Sequence, residues 1–171
     1  MARRNIDAFL SKDIDSVLSS SAGCSTRMKE YVELLKDDEV YIDKAKQLES
    51  KVKDINEFLY ELPIDPPEGR LESSVTYQDP CHLAHTQKIR SQPRELLKLI
   101  PGLNLIEMRN SDRCCGAGGT YVITQHQMSL NLMNDKMKTI EETGAQIVTT
   151  GNPGCWMQMN HCLLYTSPSP R

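Results

Sequence analysis

The sequence predicts an α/β fold in which parallel sheets carry helices on both faces. Short segments of β-branched residues alternate along the chain with amphipathic segments of helical period. Clusters of Gly and Pro separate these segments, and a cysteine follows each of several predicted strands. The chain has 171 residues, 39% hydrophobic and 25% charged, which is enough for one domain or two small ones with a real core.

The chain begins with a predicted helix, strand and helix. Apolar residues at helical spacing predict a helix over residues 3–12, and residues 16–20 predict a short strand that ends just before Cys24. Ser25 and Thr26 are candidates to cap the helix that follows. Cys24 therefore lies between a strand and a helix.

A longer amphipathic stretch, residues 41–62, predicts a connecting helix with one apolar stripe. Pro63, Pro66 and Pro67 follow it and end the helical pattern. A boundary is therefore expected after residue 65, so that 1–65 form a first unit with its connecting helix.

Residues 66–161 form a second unit, in which strand, cysteine-bearing loop and helix follow one another repeatedly. Strands are expected over residues 74–78, 103–108 and 146–150. Helices are expected from about residue 82, over 93–100, over 120–143, and from Cys155 onward. In the third of these helices the apolar spacing predicts a buried face of Met128, Leu132, Met133, Met137 and Ile140.

Composition and charge exclude several functional classes. The formal net charge is −3, with no clustered basic footprint of the kind that nucleic-acid binding needs. No apolar run approaches the roughly 18 residues of a membrane span, and the N-terminal residues lack the apolar segment of a signal peptide. We therefore expect a cytoplasmic protein without a nucleic-acid partner, which reaches a membrane only through other proteins.

The last ten residues, 162–171, differ in character from the rest of the chain. They resemble the translated read-through of a sequencing-library adapter, and we exclude them from the fold. The alternative is a natural Ser/Pro tail. On the first interpretation the chain is a fragment of a longer protein.

The two units resemble each other when they are aligned at an offset of 131 residues. Both then show a strand, small residues, a cysteine and a helix in the same order. The matched pairs are Cys24 with Cys155, Gly23 with Gly154, Val17 with Val148, and Met28 with Met159. We interpret this as two pseudo-repeated cysteine-rich units of which the first is truncated; the alternative is a βα unit shared by chance.

Four cysteines of the second unit are expected to meet at one edge of its sheet. Cys81, Cys114, Cys115 and Cys155 follow the ends of predicted parallel strands, and those ends share an edge where ligands bind. Helix N-termini favour the thiolate, which is the form that binds metal. Four thiolates suit an iron–sulfur cluster or a zinc ion. The alternative is that each cysteine is a small buried hydrophobe.

Other polar residues near these cysteines are expected to support the site. His82 and His85 lie one helical turn apart and are predicted to make hydrogen bonds around the site or to lie on the surface. Asp79 is expected to have a structural role, either orienting its loop or accepting backbone N–H bonds in an Asx turn. Arg113 precedes the cysteine pair and could pair with an anionic cluster or form a surface ion pair.

The cysteine-bearing motifs resemble a known family. They are Asp79-Pro-Cys-His-Leu83, Cys114-Cys-Gly116 and Asn152-Pro-Gly-Cys155. They are similar to the cysteine-rich (Cys-Cys-Gly) domain of glycolate oxidase iron–sulfur subunits. The wider superfamily includes subunits of lactate utilisation, anaerobic glycerol-3-phosphate dehydrogenase and heterodisulfide reductase. The resemblance covers about residues 2–160.

The resemblance implies an iron–sulfur electron-transfer subunit of a complex that oxidises glycolate or a related 2-hydroxyacid. It implies a [4Fe–4S] cluster on Cys81, Cys114, Cys115 and Cys155, and it makes Cys24 one ligand of an incomplete first site. It also implies a flavoprotein (FAD) partner and an N-terminal ferredoxin-like module that is absent here, so the chain alone should not turn over. The family pattern ends in Cys-x-x-Cys, whereas this chain has Asn152 at the first of those positions.

Two other interpretations stay open from the residues themselves. The four cysteines could hold a structural zinc ion at an interface between subunits. Cys114 and Cys115 could instead act directly in thiol–disulfide chemistry. Within the first interpretation, the lactate and glycerol-3-phosphate branches also remain.

Overall fold

A computed structural model describes the backbone of residues 1–166 and the side chains of residues 1–162. Its strands are all parallel and alternate with helices, which confirms the predicted α/β class. The strands form one sheet of two strands, in the first unit, and one sheet of three strands, in the second.

The first unit is built around the two-stranded sheet. Its elements are α1 (Ala2–Leu10), β1 (Val17–Ser19), α2 (Ala22–Lys29), α3 (Tyr31–Leu34), α4 (Ile42–Lys51), β2 (Val52–Asp54) and α5 (Ile55–Glu61). Val17 lies opposite Val52 in the parallel pair of β1 and β2, and both are buried. Ile6, Ala45 and Leu48 complete a core between the sheet, α1 and α4.

The second unit contains the three-stranded sheet, in the order β4-β3-β5. Its elements are β3 (Ser73–Gln78), a π-helical turn (His82–Thr86), α6 (Ser91–Lys98), β4 (Leu103–Leu105), α7 (Tyr121–Thr124), α8 (His126–Glu141), β5 (Ile147–Thr150) and α9 (Pro153–Thr166). Val75, in the central strand, pairs with Leu105 on one side and Ile147 on the other. Since all three strands are parallel, their carboxyl ends lie at one edge.

The predicted connecting helix over 41–62 is wrong as a single element, because the strand β2 interrupts it. Val52 leaves the helix to pair with β1, and the chain then starts a second helix at Ile55. Asp54 caps that helix by accepting a hydrogen bond from the Asn56 N–H at 3.0 Å, with Glu57 completing the capping box. The sequence did not indicate the strand, because the apolar residues on both sides of it keep helical spacing.

Two helix starts also differ from the prediction. The helix that carries Cys24 begins at Ala22, so Ser25 and Thr26 lie buried inside it and do not cap it. The helix predicted over 120–143 is broken at Gln125, whose backbone (φ −130°, ψ 49°) is not helical. The chain thus forms the short helix α7 before the long helix α8.

The two units pack against each other directly. Ala22, Leu83 and Ile89 form a small apolar cluster between α2 and the π-helical turn. The Ala22 N–H donates to the Gly151 carbonyl at 3.2 Å, which joins the turn of the first unit to the turn after β5.

The predicted tail over 162–171 falls only partly within the described residues. Helix α9 continues through its first part as far as Thr166, and residues 167–171 lie outside. Across the part of the chain that is described, the helices are too short or too polar to cross a bilayer.

Candidate metal centre

Four cysteines line one cavity at the carboxyl edge of the three-stranded sheet. Cys81, Cys114, Cys115 and Cys155 share its wall, and the cavity measures about 320 Å³. That volume falls in the range of roughly 300–1,000 Å³ that is typical of ligand sites. The convergence predicted from the strand order is therefore present in the fold.

The four cysteines follow the ends of the three strands of this sheet. Cys81 follows β3 and immediately precedes the π-helical turn, and Cys155 lies in the first turn of α9, after β5. Cys114 and Cys115 lie in the loop that follows β4. Cys115 and Cys155 are buried, whereas Cys81 and Cys114 are partly exposed.

The thiols form two hydrogen-bonded pairs. Cys81 donates to the sulfur of Cys114, and this bond is the main reason that the pKa of Cys114 falls to about 6. The same bond, together with burial, raises the pKa of Cys81. Cys155 donates to Cys115 in the same way, which lowers the pKa of Cys115 and raises that of Cys155. In each pair, one sulfur is thus prepared to be a thiolate.

The Cys114-Cys115-Gly116 loop is fixed by a glycine that no other residue could replace without strain. Gly116 has φ +84°, and a Cβ there would lie 2.4 Å from the Ser129 carbonyl oxygen. The Ser129 hydroxyl donates to the Gly116 carbonyl at 2.9 Å, and the Gly116 N–H donates to the Cys114 sulfur at 3.3 Å. Helix α8 thereby holds the loop that carries the cysteine pair.

An arginine holds the loop of Cys81. Arg94 binds both carboxylate oxygens of Asp79, at 2.8 and 2.7 Å, and its side chain also reaches Glu107. The Asp79 side chain is only 3% exposed. The backbone N–H of Asp79 donates to the Ser111 carbonyl at 3.1 Å, and this bond joins the loop of Cys81 to the loop of the cysteine pair. Asp79 thus has the orienting role that the sequence predicted, and Arg94 is the partner that the sequence did not indicate.

The first unit supplies part of the cavity wall through its backbone. Asn152 accepts hydrogen bonds from the Gly23 N–H at 3.2 Å and the Ser21 hydroxyl at 3.4 Å. Its amide nitrogen donates to the Cys155 sulfur at 3.3 Å. Asn152, which stands where the family pattern has a cysteine, therefore connects the two units at the site.

Cys24 is not brought into this cavity. Its side chain is exposed, and only its neighbour Gly23 lines the wall. Its predicted role as a ligand of a separate first site stays a prediction.

The remaining predicted residues lie around the site. His82 lines the cavity but is exposed, and His85 is held at the surface by hydrogen bonds to the Asp112 carbonyl and to Arg90. Arg113 forms an exposed ion pair with Asp135 at 3.8 Å. This is the surface pairing that the sequence left as one of two options.

A buried cation that the sequence analysis missed lies beside the cysteine loop. Lys136, on α8, is fully buried, whereas Met128, predicted for the core face of the same helix, is half exposed. A signal was present, because Lys136 is three residues after Met133 and four before Ile140, both of which are buried.

The donor set fits a cofactor held by thiolates. Four thiols face one cavity, and backbone and amide N–H groups already donate to two of the sulfurs. Among the described side chains, no three of the types His, Cys, Asp and Glu meet closely enough to hold a single metal ion.

Comparisons with known proteins find relatives of this chain. The chain is 39% identical over 161 residues to the "probable glycolate oxidase iron-sulfur subunit" of Bacillus subtilis (strain 168), covering 93% of this chain and 36% of that protein. It is 32% identical over 157 residues to the glycolate oxidase iron-sulfur subunit of Escherichia coli (strain K12), covering 90% and 38%. It is 34% identical over 158 residues to lactate utilization protein A of Lysinibacillus sphaericus (strain C3-41), covering 92% and 68%.

The chain thus spans between about one third and two thirds of the length of these relatives. Residues 75–160, about half of the chain, match the family described as "Cysteine-rich domain" and include all four cysteines of the cavity. On its matched motifs and its relatives, this chain belongs to the cysteine-rich (CCG) domain family.

Proposed function

We propose that this chain is the iron–sulfur, electron-transfer part of a complex that oxidises a 2-hydroxyacid. The observation that carries the proposal is the convergence of Cys81, Cys114, Cys115 and Cys155 on one cavity. Four thiolates are the usual ligands of a [4Fe–4S] cluster. The same four thiols could instead hold a structural zinc ion, and metal analysis distinguishes the two.

When bound, an iron–sulfur cluster would supply a carrier of single electrons, and the chain would hold and tune it. The lowered pKa of Cys114 favours the thiolate needed for ligation. The Gly116 N–H and the Asn152 amide donate to sulfurs, and such hydrogen bonds, together with burial, set the potential of the carrier. These residues position and insulate an electron-transfer centre, and none of them is proposed to act on the organic substrate.

The parent complex is proposed from the relatives. Two of them are named as glycolate oxidase iron-sulfur subunits, which favours glycolate as substrate and glyoxylate as product. A flavoprotein (FAD) subunit would take the hydride, and this subunit would pass single electrons toward quinone. Electrons would enter or leave it through a ferredoxin-like module. The alternative substrate is lactate, since other relatives are named lactate utilization protein A. We propose a cytoplasmic complex that meets the inner membrane through its partners.

The domain organisation follows from the same proposal. Residues 1–65 would be the end of a first cysteine-rich repeat with its connecting segment, 66–161 the second repeat, and 162–171 an adapter-derived tail. The common position of Cys24 and Cys155, each the third residue of a helix that follows a strand, supports the repeat. Cys24 would then be one ligand of a site that the rest of the first repeat completes.

Metal analysis tests the cofactor. The whole chain, purified without oxygen, should contain about four irons and four acid-labile sulfides and give an EPR signal when reduced. Cys114→Ala and Cys155→Ala should lose both elements together. Cys24→Ala is the matched control, and it should retain the iron and sulfide of the second site because Cys24 is outside the cavity.

Other results would contradict the proposal. One zinc per chain without sulfide would make the module structural. Folded protein that takes up neither iron nor zinc would leave the four thiols without the proposed cofactor.

The substrate is tested in the complex. A tagged chain expressed in its own host should capture a flavoprotein, and the captured complex should reduce a dye with glycolate faster than with lactate. Faster reduction with lactate would move the assignment to the lactate branch, and capture of no flavoprotein would contradict the proposed complex.

A further inference from the structure

Among the described side chains, Lys136 is a buried ammonium group without a carboxylate partner. Its side chain is fully buried, and its Nζ donates to the Asn110 carbonyl at 2.9 Å and the Ser111 carbonyl at 3.0 Å. The sulfur of Met108 lies 4.0 Å away. Among the described residues no carboxylate oxygen comes within 4.0 Å of this nitrogen. Burial of a charge without an opposite charge is strongly unfavourable, so a buried lysine at this position calls for a counter-charge.

The nearby carboxylates do not supply the missing charge, because arginines already neutralise them. Arg94 binds Asp79 through two hydrogen bonds, and Arg90 binds Asp112 at 2.8 Å. Both carboxylates influence Lys136 only from a distance. The counter-charge must therefore come from another group.

The cysteine cavity is the anionic feature that remains. Burial lowers the pKa of Lys136. The charge of the Cys115 sulfur raises it, more than any other neighbouring charge does. In return, the ammonium helps to lower the pKa of Cys114. The two carbonyls that Lys136 binds belong to the loop leading into the cysteine pair, and Asn110 adopts φ +54° there. Asparagine tolerates this left-handed conformation, and the two bonds from Lys136 hold the loop in it.

We propose that Lys136 is the built-in counter-cation of the anionic centre held by the four cysteines, and that it raises the reduction potential of that centre. The inference rests on the proposed function, because the negative charge is that of a cluster ligated by thiolates. Four thiolates bring more negative charge than an iron–sulfur core of this type neutralises. A fixed positive charge nearby therefore stabilises the loaded state, and it stabilises the reduced form more than the oxidised form.

Removing Lys136 distinguishes a role of its charge from a purely structural role, because the two roles predict different changes in the stability of the metal-free chain. In the metal-free chain Lys136 is an uncompensated buried charge, so Lys136→Met should leave the urea stability unchanged or increase it. In the loaded chain the same change removes the counter-charge. If Lys136 served only to hold the carbonyls of residues 110 and 111, its loss would destabilise both forms.

The experiment compares four versions of the whole chain, each metal-free and loaded with iron and sulfide. They are the wild type, Lys136→Met, Lys136→Gln, and the matched control Lys138→Met, whose lysine is exposed on the same helix. The readouts are the midpoint potential from an EPR-monitored titration, the rate of iron loss to a chelator, and urea unfolding of the metal-free form. Gln keeps a donor for the carbonyls but carries no charge, so it isolates the contribution of the charge.

Both uncharged variants should have a lower midpoint potential than the wild type and should lose iron about ten to a hundred times faster. The metal-free variants should unfold at the same urea concentration as the wild type or a higher one, and Lys138→Met should match the wild type throughout. A wild-type potential in both variants would overturn the inference but leave the proposed function intact. The inference would also be overturned if Lys136→Gln kept the wild-type potential and rate of iron loss, or if both variants failed to fold without metal. If the wild type itself assembled no cluster, the proposed function would fail and this inference with it.

Discussion

The turns that follow β1 and β5 have the same local structure but different surroundings. In each, a parallel strand ends and a cysteine becomes the third residue of the next helix, Cys24 in α2 and Cys155 in α9. Cys24 is exposed, whereas Cys155 is 5% exposed and lines the cavity. A cysteine at the end of a strand is thus not enough to make a site.

The difference comes from the neighbouring strands. β5 lies beside β3, and the loops after β3 and β4 bring Cys81, Cys114 and Cys115 to the same edge. β1 pairs only with β2 in the described residues, and β2 leads through Asp54 directly into α5 without a cysteine. The first turn contributes Gly23 to the wall of the other unit's cavity instead.

The largest expected effect comes from removal of the arginine that supports the second unit. Arg94→Met leaves the buried Asp79 carboxylate without its partner and should lower the free energy of unfolding by roughly 3–5 kcal/mol. Urea denaturation of the metal-free chain measures this. Arg109→Met, which removes an exposed bidentate pair with Glu142, is the control and should cost less than about 1 kcal/mol. Equal effects of the two variants would show that the Asp79 pair does not support the loop.

A smaller effect is expected at the glycine of the cysteine pair. Gly116→Ala combines a left-handed backbone with a Cβ placed 2.4 Å from a backbone oxygen, and it should cost about 3 kcal/mol and reduce iron uptake. Gly144→Ala, at φ +63° with open space around its Cβ, is the matched control and should cost about 1 kcal/mol. Thermal unfolding and iron content distinguish the two, and an equal loss in both would mean that Ser129 yields to the new side chain.

The contact between the two turns is tested at Asn152. Asn152→Ala removes the bonds to Ser21 and Gly23 together with the donor to the Cys155 sulfur, and it should destabilise the chain by about 1–2 kcal/mol. A double-mutant cycle with Ser21→Ala measures the part that passes between the units. A coupling energy of zero between Asn152 and Ser21 would contradict a stabilising contact between the two units at this cavity.

The smallest effect is expected at the exposed cysteine. Cys24→Ala should change the free energy of unfolding by less than about 0.5 kcal/mol, because its side chain is exposed. Cys155→Ala, at the corresponding position of the second unit, is the comparison and should be clearly destabilising in the loaded chain. A loss of iron in Cys24→Ala would mean that the first turn contributes a ligand after all.

The sequence predicted the convergence of the four cysteines, since it depends only on the strand order and on a shared edge of parallel strands. It did not predict β2, because Val52 continues the helical spacing of Ala45 and Leu48 although it pairs with β1. The partners of the site depend on packing between distant segments. Nothing in local spacing indicates that Arg94 reaches Asp79.

Lys136 is a different case, because its position on the buried stripe of α8 was visible in the sequence. A lysine on an apolar stripe is usually expected to extend to solvent, and only the fold shows that this one remains inside. On α8, the lysine that breaks the apolar pattern was therefore more informative about the site than the apolar residues that fit the pattern.

Thiol labelling tests most directly which cysteines hold the cofactor. The loaded chain is treated with iodoacetamide at pH 7, before and after a chelator strips the metal, and each modified cysteine is identified by mass spectrometry. Cys24 should be labelled in both states. Cys81 and Cys114 are partly exposed and should be labelled only after stripping, Cys114 first because its pKa is about 6 in the metal-free chain. The same labelling pattern before and after stripping would contradict a cofactor held by these thiols.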